Sequence, residues 1–96
     1  PSLLFIYLII MTKVISPKDL DAKKRREAEA EIDALIKIIN KNLDDDYIPG
    51  ENVNIEMSLA YKDYYSYVVD EARSKFLQAG WEITIVDNTW IFSYPL

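Results

Sequence analysis

The 96 residues carry 16 acidic and 11 basic side chains, a net charge of −5, and are half hydrophobic with only two glycines. That is enough chain for one domain with a modest core, and too apolar a chain for general disorder. The chain has no cysteine and no histidine, which excludes a disulfide framework, a thiolate zinc site and a thiol nucleophile, and removes the commonest general base and metal ligand.

The first eleven residues, PSLLFIYLIIM, are strongly apolar. The run Leu3 to Met11 is about half of the ~20 residues needed to span a bilayer, and Lys13 soon interrupts it. There is no basic leader and no small-residue cleavage site, so no signal peptide is expected. The segment reads either as a buried strand, with Leu4, Ile6 and Leu8 adding a sheet edge, or as residues 1–10 of vector or upstream origin before a natural start at Met11. The second reading is preferred, because MTKVISPKDL has the character of an ordinary N-terminus. One α+β domain is then expected over 11–96.

Ser16-Pro17-Lys18-Asp19 is a helix start. Ser16 suits the cap, Pro17 the first helical position and Asp19 the third, where an acid is favoured. The helix is expected to run to about Leu43. Its second half carries a stripe of Ile32, Leu35, Ile36, Ile39 and Leu43 at helical spacing. Its first half has Lys23, Lys24, Arg25 and Arg26 ahead of Glu27, Glu29 and Glu31, with only Leu20 and alanines between. That half is expected to project into solvent, laced by pairs such as Asp19–Lys23 and Asp21–Arg25.

Asp44-Asp45-Asp46 is unfavourable at a helix C-terminus, so the helix should stop before it. Set against an EF-hand loop, Asp45, Gly50 and Glu56 fall at positions 1, 6 and 12, but Tyr47 and Pro49 occupy positions that need ligands. An acidic loop without a metal site is therefore expected. Pro49-Gly50 suits a type II turn.

Val53, Ile55, Met57, Leu59 and Tyr61 alternate with polar or small residues, the mark of a half-buried strand over at least 52–57. Ser58 or Asp63 is the expected cap of a second helix. That helix places Tyr61 or Tyr65, Val68, Ala72, Phe76 and Ala79 on one face, flanked by Val69 and Leu77, with Asp70, Arg73 and Lys75 outside it. Gly80 fits the C′ position, with Trp81 following and able to touch Phe76.

From Trp81 onward the period is two. A two-residue turn at Asp87-Asn88 sets Ile85 opposite Trp90, Ile83 opposite Phe92 and Trp81 opposite Tyr94, which puts these six large apolar side chains on one face. The expected architecture is two-layer α-β-α-β-β, a small sheet ending in a β-hairpin with two helices on one face.

Tyr61, Tyr64, Tyr65 and Tyr67 place four tyrosines within seven residues. They cannot all face one core, and Tyr64 and Tyr67 are the expected exposed members. Exposed tyrosines favour binding surfaces, although rings lining a core with wet hydroxyls are the plainer account. No phosphate-binding glycine loop occurs, and no base lies near the tyrosines in sequence. Chance carboxylate pairs such as Asp70/Glu71 carry no signal among so many acids. The basic run Lys23–Arg26 lacks interleaved aromatics and is followed at once by acids, a poor nucleic-acid patch. A helix, AGW and a hairpin also fit the wing of a winged-helix domain, but the helix–turn–helix such a domain needs is absent.

The pattern of an early ISPKDL, a charged helix ending EIDALIKII, a short strand, a second helix ending LQAGW and a closing hairpin with WIFSYP resembles a recurrent type of small tailed-bacteriophage protein over roughly 15–95. That type usually has glycine-tyrosine where this chain has Gly80-Trp81, and the first ten residues have no counterpart in it. The resemblance implies a phage-encoded accessory protein, part of the virion or a binder of host or defence components, located in the host cytoplasm or the virion. The expected function is therefore non-enzymatic protein–protein binding, with Tyr64, Tyr67, Lys23, Lys24 and Arg26 as candidate contact residues and self-association through the helices. No catalytic residue, cofactor or metal is assigned, and neither nucleic acid nor membrane is the expected partner. A small-molecule-sequestering protein and a winged-helix regulator are the alternatives.

Overall fold

A computed structural model describes residues 13–58 and 64–94. The apolar segment through Met11, together with Leu59, Tyr61 and the candidate cap Asp63, lies outside the described residues. The elements run α1 (Pro17–Asp46), β1 (Val53–Glu56), α2 (Ser66–Gln78), β2 (Glu82–Val86) and β3 (Thr89–Ser93). The strands form one antiparallel sheet in the order β1-β3-β2. This is the expected small α+β fold.

Helix α1 starts as the sequence predicts. Ser16 Oγ accepts from the Asp19 N–H at 3.1 Å, and Pro17 takes the first turn. At 30 residues it is about 45 Å long. Ala28, Ile32, Leu35, Ile39 and Leu43 are buried on one stripe and Ile36 packs beside them, whereas every residue from Lys13 to Glu27 is exposed.

The helix ends at Asp46 rather than at Leu43. The aspartates do oppose the helix dipole, by roughly 0.3–1 kcal/mol each at the surface. Tertiary anchoring outweighs them. Leu43 is buried, the Tyr47 N–H donates to its carbonyl at 2.9 Å, and the Tyr47 ring meets Trp81 edge-on at 5.7 Å. Lys41 also pairs with Asp45 at 3.2 Å. The expected type II turn follows, with Gly50 at φ 87° and the Glu51 N–H donating to Ile48 O at 3.0 Å.

Helix α2 opens at Tyr65, not at Ser58 or Asp63, and no side chain caps it. Val68, Val69, Ala72 and Phe76 are buried, while Ala79 and Leu77 are exposed. Arg73, expected outside the packed face, lies half-buried with its guanidinium 5.5 Å from the Trp90 ring centre and bonded to Asp70 at 2.8 Å. The helix closes in a Schellman motif. Gly80, at φ 110°, donates to Leu77 O at 3.1 Å, and the Trp81 N–H donates to Phe76 O at 3.2 Å. The ring of Phe92 stands edge-on to both Phe76 (5.6 Å) and Trp81 (6.0 Å), so it joins the two across the joint.

The hairpin has the predicted register, Ile85 opposite Trp90 and Ile83 opposite Phe92, around a turn where Asp87 takes φ 55°. Trp90 and Phe92 are fully buried, and Val53, Ile55 and Met57 of β1 and its extension line the same face. The floor of the core is narrower than the alternation implies. Ile85 and Tyr94 are 42% and 60% exposed. β3 is the central strand and lies beneath the helices, whereas β2 is an edge strand: its Ile83 still packs against the core, but Ile85 overhangs the helical layer.

Candidate functional site

The first half of α1 has no core to join, so its conformation rests on local pairing. Asp21 accepts from Arg25 Nε at 2.8 Å; Glu27 draws in Lys24 at 3.3 Å and Lys23 at 4.0 Å. Lys23 thus pairs forward to Glu27 and not back to Asp19. Three of the four consecutive basic residues are matched by acids on their own helix, which weakens the run further as a nucleic-acid patch. Arg26 is exposed and makes no ion pair among the described residues.

Where this arm leaves the domain, it meets the tyrosines. Arg25 donates to the Tyr67 hydroxyl at 3.4 Å, with its guanidinium carbon 5.2 Å from the ring centre. Tyr65 stacks on Tyr67 with centroids 6.2 Å apart and planes 16° from parallel. Residues two apart on a helix do not face each other. These two meet because Tyr65 is the N-cap, extended at φ −76° and ψ 165°, and only Tyr67 is helical. Asp21, Lys24, Arg25, Tyr65 and Tyr67 line a small cup of about 230 Å³. A larger surface groove of about 570 Å³ continues along the α1–α2 seam past Glu29, Ile36, Glu71 and Lys75. The hydrogen bond from Arg25 to Asp21, and the charge of that carboxylate, raise the arginine pKa above its ordinary value, with Tyr67 adding in the same sense. The cup therefore holds a permanent cation beside two aromatic rings.

Of the residues singled out in the sequence, Tyr67 and Lys24 come together here. Lys23 and Arg26 lie on the same arm outside the cup. Tyr64 and Tyr67 both pack against the core, and of the two only Tyr67 also lines the cup. The expected exposure is reversed, since Tyr64 and Tyr67 are half-buried and Tyr65 is half exposed. Tyr65 and Arg25 are the members that sequence reasoning missed. The Asp21–Arg25 spacing marked the arginine as ordered, but its contact with Tyr67 spans 42 residues and has no local signature.

Among the described residues there is no cluster of three or more metal-ligating side chains and no helix long and apolar enough to cross a membrane. Comparison with protein-family models, with curated proteins and with solved structures finds no match to this chain.

Proposed function

We propose that this chain is a non-enzymatic binding protein that acts by protein–protein contact, with the root of the α1 arm as its contact surface. The observation that carries this reading is the Tyr65–Tyr67–Arg25 assembly, a stacked aromatic pair and an ordered arginine at the surface. Tyrosine and arginine are among the residue types that concentrate binding energy at protein interfaces: tyrosine offers a large contact area with only two torsions to freeze, and Arg25 is already held in place by Asp21 and Tyr67. Arg26, exposed and without an ion pair among the described residues, extends the surface along the arm, which suits a partner that sets an acidic side chain beside the aromatic pair. The order of elements supports placing the chain among phage-encoded accessory proteins, in the virion or acting on a host component.

The test is comparative capture by the tagged full chain from a host or virion extract. A partner held by the wild type should be lost from the Arg25→Ala/Tyr65→Ala double variant. It should be retained by Asn54→Lys on the uncovered sheet face, with circular dichroism unchanged in both. Equal capture by all three chains would remove this surface.

A further inference from the structure

The sheet has two outer strands, and they differ in what they leave open. The Met57 N–H donates to Asn88 O at 2.7 Å across the β1–β3 register. Antiparallel pairs alternate between hydrogen-bonded and non-bonded, so this bond assigns the backbone groups of residues 88, 90 and 92 to β1. Those of 89, 91 and 93 are then left for β2. By the β2–β3 register, Glu82, Thr84 and Val86 bond inward to β3. The N–H and C=O groups of Ile83 and Ile85 therefore point out along the edge of β2 that no other described strand pairs with.

That edge lacks the usual protection. Sheet edges are commonly blunted by lysine, proline or a bulge. β2, EITIV, has neither residue type, and its register with β3 runs unbroken from Glu82 to Val86. Ile85 and Val86 are 42% and 53% exposed there. On β1 the groups at the open edge belong to Asn54 and Glu56 instead, and its apolar side chains are all buried.

We infer that β2 pairs with β2 of a second copy of this chain, antiparallel and centred on Thr84. The strand is complementary to itself in this register. Ile83 meets Ile85 of the second copy and Ile85 meets Ile83, and both pairs use the outward backbone groups, giving two reciprocal pairs of hydrogen bonds. Thr84 meets Thr84 as a non-bonded pair. Glu82 meets Val86, so no like charges face each other. The two-fold axis stands normal to the sheet and joins two three-stranded sheets into one of six, with all helices on one side. Ile85, which overhangs its own helical layer, is then covered by Ile83 of the second copy. This interface is separate from the arm, and it gives the assembly two copies of that contact surface. The paired stretch is short, which places the association in the weak class of interfaces.

The chain has no cysteine, so cross-linking reads the register directly. In the centred register the two Thr84 Cα atoms lie about 4.5 Å apart, within disulfide range. The two Glu82 Cα atoms lie on the order of 13 Å apart. Oxidised full-length Thr84→Cys should run as a covalent dimer and Glu82→Cys as a monomer. Wild-type protein should show concentration-dependent dimers in sedimentation velocity, and Ile85→Lys should weaken them by at least about tenfold by burying unpaired charge. A wild type that stays monomeric at all concentrations, with Thr84→Cys uncross-linked, would overturn the inference. So would dimerisation that appears only after deletion of residues 1–12, which would show the edge to be covered by the chain's own apolar N-terminus.

Discussion

The two halves of α1 share one helical conformation but hold it for different reasons. From Ala28 to Leu43 the helix is a wall of the core, and its stripe would bury apolar area whatever the exposed residues were. From Pro17 to Glu27 every residue is exposed, and the helix depends on the Ser16 cap, the Pro17 start and charge pairs one turn apart. An isolated helix of that length is marginal in water. It persists because the packed half supplies a nucleus from which each further residue adds a hydrogen bond. The arm is thus propagated from the domain and is not a folding unit of its own. Arg25 on Tyr67 is the contact that ties it down.

Truncating the packed half should have the largest effect. Leu35 is 1% exposed, and Leu35→Ala should cost about 2–5 kcal/mol of unfolding free energy, the lost transfer energy plus a cavity. Chemical denaturation followed by tryptophan fluorescence would measure it. A cost under about 1 kcal/mol would mean that the packed half is no more committed to the core than the arm. Ala22→Pro makes the opposite cut. It removes a helical hydrogen bond and drives the ring into the carbonyl of Lys18, a local penalty of about 3 kcal/mol. Amide exchange should show lost protection upstream of residue 22 with the global midpoint nearly unmoved. A midpoint that falls as far as for Leu35→Ala would make the arm part of the cooperative core.

Gly80 sharpens the comparison from the other helix, whose C-terminus is set by backbone geometry. A Cβ there would meet nothing within 4 Å, but φ is 110°. Gly80→Ala should therefore cost only the conformational term, about 1–2 kcal/mol, below the core truncation. A larger loss would point to a disturbed Phe76–Phe92–Trp81 joint.

How far each feature could be read in the sequence follows the same division between local and non-local causes. The Ser16 cap of α1, the Pro49-Gly50 turn, the Schellman glycine and the pairing of Ile85 with Trp90 were legible, because each depends on residues a few positions apart or on period-two alternation. Alternation states which way a side chain faces but not how far the covering layer reaches, so the exposure of Ile85 and Tyr94 could not be seen. The end of α1 was misplaced by three residues for a related reason. The dipole argument at Asp44–Asp46 is correct locally, and the packing of Leu43 and Tyr47 overrides it. The tyrosines failed at one point only, the uncapped start of α2. Placing Tyr65 off the helix changes which rings can stack, and with them the membership of the candidate site.

The smallest expected effect is the most informative about the arm. Asp21→Asn removes the carboxylate that holds Arg25 at 2.8 Å and leaves the guanidinium over Tyr67. Exposed ion pairs add little net stability, because the Coulomb gain in high dielectric is offset by side-chain ordering and screened by salt. The unfolding midpoint should not move measurably. Nor should a pH dependence appear through Arg25. A group whose pKa is raised on folding adds stability below its unfolded value and loses it as pH rises through the folded one, and for this arginine both lie above any working pH. What should change is local. Amide exchange across Leu20–Glu27 should quicken modestly at low salt, and the wild type should approach the variant as salt is added. Tyr67→Ala, which removes the tie to the domain, should quicken the same amides at every salt concentration. If the two variants behave alike, the arm is held by its own charges, and the ring of Tyr67 is free to serve a partner.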